Sequence, residues 1–155
     1  MQCSKIILFL IRINIISYIL IFFGLALILT TVTIFFPDNA SNIEKSIQIE
    51  TVLDKIVFGI IIVPIIETLI FQTFIISVTC KLLKRPKYKF YVSLFISSLA
   101  FSFNHSYNYY YMIYTFLIGI LLACMYYIAR YRRFSATLSL IILHSIWNSL
   151  ILFTN

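Results

Sequence analysis

One carboxylate stands alone inside an apolar run: Glu67, in VPIIETLIFQ (residues 63–72). Placed at the middle of a membrane span, such a group costs about 2.5–3.5 kcal/mol on insertion scales, so it should face a partner or a wet cavity. The ionisable residues deep in the other apolar runs are His105 and His144, with no Lys or Arg at that depth. One acid and two imidazoles from three separate segments can perform general acid–base chemistry on a trapped water. Each residue alone has an ordinary explanation, a protonated structural acid or a packed and satisfied histidine. The three together, with their neighbours, point to a site.

Those neighbours are informative. His144 and Asn148 in HSIWN are one helical turn apart and share a face, so an imidazole and an amide can both donate to one developing oxyanion. Phe101 and His105 in FSFNH have the same spacing, which sets an aromatic wall beneath the imidazole. Thr68 and Gln72 also share a face, about 100° around the helix from Glu67. This neutral pair is able to hydrogen bond.

The elements that must position these residues are membrane helices. Of the 155 residues, 62% are hydrophobic and only 11% charged, with a mean hydropathy of +1.02. Soluble domains carry about 25% charged residues. The apolar runs are continuous rather than alternating, which argues against a β-barrel. The expected fold is all-α, a polytopic transmembrane bundle of about five spans in one domain, residues 1–155. The spans are placed near Ile13–Phe36, Lys55–Cys80, Phe90–His105, Tyr109–Ala129 and Ser135–Phe153. A polar connector, PDNASNIEKSIQIE, follows the first, and a basic loop, KLLKRPKYK with Pro86 at its centre, follows the second. The first apolar stretch is too long for a signal peptide and is read as a retained span.

The net charge of +7 does not imply nucleic acid, because the basic residues cluster at the ends of apolar runs, where they set topology and meet lipid. With the N-terminus cytoplasmic, all of the 12 Lys and Arg except Lys45 and Lys55 fall on one side. The positive-inside rule then puts the C-terminus outside, in an integral protein of the plasma membrane. The tyrosines at 107 and 109–111 fit an interfacial belt. Cys3, Cys80 and Cys124 show no paired spacing and are read as free thiols.

The three chemical segments resemble the signatures of the CPBP family of intramembrane proteases, which includes the type II CAAX prenyl proteases and the Abi bacteriocin-immunity proteins. The family pattern is EExxxR, then FxxxH, then HxxxN or a variant ending in Asp. Here the segments read ETLIFQ (67–72), FSFNH (101–105) and HSIWN (144–148), with a protease-like core of about 55–155. The resemblance implies that Glu67, with His105, activates a water for peptide-bond hydrolysis, and that His144 and Asn148 support the tetrahedral oxyanion. It implies a peptide or lipidated protein as substrate, in or beside membrane lipid. Thr68 and Gln72 stand where the pattern has its second glutamate and its arginine. Losing both charges keeps the balance that losing one would break.

Glu67, His105 and His144 also match a zinc site of two histidines and a carboxylate. Such sites commonly use a further carboxylate as base, and the spans hold no second acid near their centre. A metal-free glutamate–histidine site is therefore expected. The competing readings are an inactive family member acting as an immunity or binding protein, and a small proton-coupled transporter.

Overall fold

The computed structural model describes residues 12, 15–34, 51–106, 108–132 and 135–154. Cys3, Lys5, the connector 37–50, Tyr107 and Arg133 lie outside the described residues. Within them the chain is all-α, in five helices without a strand: α1 (Ile15–Ile34), α2 (Val52–Leu82), α3 (Pro86–Asn104), α4 (Tyr109–Tyr131) and α5 (Ala136–Thr154). Among the described residues α2 and α4 are each long and apolar enough to cross a bilayer; the apolar parts of α1 and α5, Ile16–Thr31 and Ala136–Leu152, are shorter.

Helix α2 opens on Thr51, whose hydroxyl accepts from the Asp54 N–H (3.2 Å) and donates to the Asp54 carboxylate (2.6 Å), a reciprocal cap. One regular span is expected here from the sequence. Instead α2 widens twice into π-helix, at Lys55–Ile62 and Thr68–Ile75, with α-helical Val63–Glu67 between them. Pro64 explains the first widening. In a regular helix its ring would press on the carbonyl four residues back, and it has no N–H to offer that carbonyl. A turn one residue wider relieves the clash. Nothing comparable accounts for the second.

Pro86 sits at the first turn of α3 and not at the centre of a loop as expected. The first turn leaves its N–H groups unpaired in any case, so proline is at no disadvantage there. The preceding Leu83 (φ −76°, ψ 120°) and Arg85 (φ −85°, ψ 112°) are extended, and the connection shrinks to residues 83–85. Lys87 and Lys89 consequently belong to α3. At the far end His105 and Ser106 turn the chain, and the Asn108 side chain caps α4 by accepting from the Tyr111 N–H at 2.8 Å.

The outer surface is apolar, and the interior encloses hydroxyl and amide groups beside an apolar core that includes Ile76, Leu122 and Leu140. Large apolar side chains such as Phe74 (64% exposed), Phe103 (60%) and Ile113 (60%) face outward, whereas Thr68, Gln72, Ser93, Ser97 and Ser98 are wholly enclosed. Small and hydroxylated residues let helices approach closely and bond across the seam. A Cβ added at Gly119 of α4 would lie 3.0 Å from Ser98 Cα on α3. Ser97 Oγ donates to the Phe71 carbonyl (2.9 Å), Ser102 Oγ to the Met112 carbonyl (2.6 Å), and the Tyr127 hydroxyl bonds both Ser93 and Cys80 Sγ. Cys80 and Cys124 are free, as expected. Tyr18, Phe22 and Ala26 present one buried stripe along α1, which packs on α4. Helices α2 and α5 run antiparallel, and the Thr73 and Thr137 hydroxyls meet between them at 3.0 Å.

Candidate active site

Glu67 closes the short α-helical stretch between the two π segments of α2 and is buried, 6% exposed. His105 is the C-cap of α3, with non-helical backbone (φ −113°, ψ 37°). His144 lies near the middle of α5 and is 3% exposed. The fold brings the three together on one carboxylate. His105 Nε2 is 3.3 Å from Glu67 Oε1, and His144 Nε2 is 3.6 Å from Glu67 Oε2. Phe101 lies between the imidazoles, its ring centroid 4.6 Å from that of His105 and 6.0 Å from that of His144. The aromatic wall read from FSFNH thus borders both histidines.

The remaining ring nitrogens distinguish the two imidazoles. His105 Nδ1 lies 2.9 Å from the Phe101 carbonyl. A carbonyl only accepts, so Nδ1 carries a proton, and in the neutral ring Nε2 then turns a lone pair toward Glu67. That bond also satisfies a carbonyl of the last helical turn whose regular partner, the His105 N–H, goes to the Ser102 carbonyl instead. His144 Nδ1 is buried without a partner among the described residues. A stranded N–H is rarer in folded proteins than a stranded lone pair, and the His144 proton therefore belongs on Nε2, facing the carboxylate. One imidazole presents an acceptor to the site and the other a donor.

Asn104 is a site residue that the sequence reading missed. Its Nδ2 donates to Glu67 Oε1 at 3.2 Å. Asn104 directly precedes His105, but a residue so placed on a continuing helix would point about 100° away. Only the end of α3 at this point turns both side chains toward Glu67, and no spacing rule announces that.

The other three expected residues behave differently. Asn148 Nδ2 donates to the Gly59 carbonyl of α2 at 2.9 Å, along the α2–α5 seam from the carboxylate. Thr68 and Gln72 are fully buried, yet the Thr68 hydroxyl and both amide atoms of Gln72 have no hydrogen-bond partner among the described residues. The contact between them expected from their shared face is not made. Both stand on the second π-helical stretch of α2, and nothing in the structure explains why the pair is left unbonded.

The sequence profile of the family described as type II CAAX prenyl endopeptidase Rce1-like matches residues 50–150. The chain belongs to this Rce1-like family. The match runs from the start of α2 through most of α5 and includes Glu67, Asn104, His105, His144 and Asn148; α1 lies outside it. At the level of the Rce1-like family the protein is a CAAX-type intramembrane protease, an integral membrane hydrolase whose substrate is a membrane-associated protein or peptide. No curated protein and no solved structure gave a match.

Proposed function

We propose that the protein is an endopeptidase of glutamic type, in which Glu67 and His105 activate a water and His144 and Asn148 stabilise the oxyanion. One observation carries this reading: the two oxygens of a single buried carboxylate each meet an imidazole Nε2, at 3.3 and 3.6 Å, from two other helices. Between Glu67 Oε1 and the lone pair of His105 Nε2, two acceptors converge, so a water resting against both has a place for each of its protons. Glu67 takes one proton as the water oxygen attacks the carbonyl carbon of the substrate. The carbonyl oxygen becomes an oxyanion, which receives the Nε2–H of His144 and an amide hydrogen of Asn148. Collapse of the tetrahedral intermediate breaks the C–N bond, and the proton held by Glu67 passes to the departing amine. Asn104 holds the carboxylate in the rotamer this requires.

The same residues do not fit a hydrolytic zinc. Three protein donors would consume Glu67, and among the described residues the only other acid is Asp54, tied to Thr51 at the start of α2. Ligand histidines almost always donate their second nitrogen to a partner, and His144 Nδ1 has none among the described residues. We infer a site that works without metal. The bundle itself is read as lying in the plasma membrane with its N-terminus cytoplasmic and its C-terminus outside.

The test is Glu67→Gln in the full-length protein in liposomes, with a membrane-anchored reporter peptide. Cleavage is expected to fall by about 10²-fold or more, with normal accumulation of the protein. Undiminished cleavage refutes the assignment. A second reading, an inactive member acting by binding or immunity, is favoured by the stranded Thr68 and Gln72, which stand where the motif carries charge. On that reading Glu67→Gln and His105→Ala leave the biological output intact.

A further inference from the structure

The contact between Asn148 and Gly59 has an origin in the sequence of α2. In the π-helical stretch Lys55–Ile62 a carbonyl takes its hydrogen bond from the N–H five residues on. For Gly59 that residue is Pro64, which has no N–H. The nearest alternative along the helix is the N–H of Val63, and that bonds to the Phe58 carbonyl. The Gly59 carbonyl is thereby released from the backbone ladder at a point where the helix faces α5. The Asn148 amide reaches it at 2.9 Å.

Asn148 stands one turn beyond His144 on α5, and His144 meets Glu67 three residues past Pro64 on α2. The two contacts join the same pair of antiparallel helices, so the first constrains the second. We propose that Pro64 is a positioning residue: by leaving the Gly59 carbonyl free, it locks the Asn148 amide onto α2 and so sets the height and rotation of α5 at which His144 faces Glu67. The lock uses one Nδ2 hydrogen of Asn148 and leaves the other for the oxyanion, with the plane of the amide fixed. The catalytic consequence rests on the peptidase reading above; the lock itself does not.

Two measurements test it. The full-length protein is labelled with ¹³C at glycine carbonyls and ¹⁵N in isoleucine, in detergent micelles. Only the Gly59–Ile60 and Gly119–Ile120 peptide bonds then give a carbonyl–nitrogen correlation, with Gly119 on α4 as reference. Asn148→Ala is expected to move the Gly59 carbonyl upfield and leave Gly119 in place. In a Pro64→Ala background, where residue 64 regains its N–H, the same substitution should leave the Gly59 carbonyl still. A Gly59 signal that ignores Asn148→Ala, or that responds equally in both backgrounds, overturns the lock whatever the enzyme does. The first comparison needs no change at Pro64 and stands even where Pro64→Ala fails to fold. In the cleavage assay Pro64→Ala should lower kcat about tenfold with KM within about twofold, and Asn148→Ala should cost much less in that background than alone. Unchanged kcat alongside a responding carbonyl overturns the positioning role. If no variant and no parent protein cleaves, the peptidase reading fails, while the carbonyl shift still decides the lock.

Discussion

Replacing Gln72 by Met should make the protein more stable, against the usual expectation for a buried residue. Gln72 is 0% exposed, and neither its amide nitrogen nor its amide oxygen has a partner among the described residues. A buried polar group left unbonded costs about 1–3 kcal/mol, and the side chain carries two of them. Part of that penalty is shared by the unfolded chain, which finds few partners in detergent or lipid either. Methionine has nearly the same length and volume and no polar hydrogen, so packing is kept. The net gain should be about 2 kcal/mol, a change of roughly 30-fold in the ratio of folded to unfolded protein. Reversible unfolding in mixed micelles is the assay, followed by the fluorescence of Trp147, the single tryptophan, which is 3% exposed and packs 6.1 Å from the Phe23 ring. Thr68→Val should shift stability in the same direction by about half as much. A loss of more than about 1 kcal/mol for Gln72→Met would refute the reasoning, because it would mean that the amide is bonded after all.

Asn104→Leu removes the 3.2 Å bond to Glu67 Oε1 and should lower kcat about tenfold with unfolding unchanged, measured with the anchored reporter. The glycines should separate by environment in the same unfolding assay. Gly119→Ala brings a methyl to 3.0 Å from Ser98 Cα, where the backbone must yield, and should cost about 1–3 kcal/mol. Gly24→Ala meets nothing within 4 Å on α1 and should instead stabilise by about 0.5–1 kcal/mol. Tyr127→Phe breaks the bonds to Ser93 and Cys80 that tie α4 to α3 and α2, and should lose about 1 kcal/mol.

Much of the architecture was legible in the sequence for a simple reason. Uninterrupted apolar runs bounded by polar and basic clusters have few structural outcomes, because in lipid every backbone group must be bonded within its own segment. The helices α1, α4 and α5 therefore begin and end within a few residues of where hydropathy puts them. Pro86 was misplaced because proline is equally at home in a loop and at a first turn, and the choice depends on what Leu83 and Arg85 do before it.

The candidate site divides along the same line. Sequence alone determined which groups are available: one acid, two imidazoles and an amide, in apolar surroundings that leave them no other partners of opposite charge. It also set Phe101 against His105, because that contact is local and follows from helical spacing. Tertiary structure decided what those groups meet. The end of α3 brought Asn104 to Glu67, and the gap at Pro64 drew Asn148 to Gly59. Each of these outcomes depends on a helix departing from regular geometry, at an end or a widened turn. Residue spacing predicts angles only while the helix stays regular, and here the departures fall beside the carboxylate.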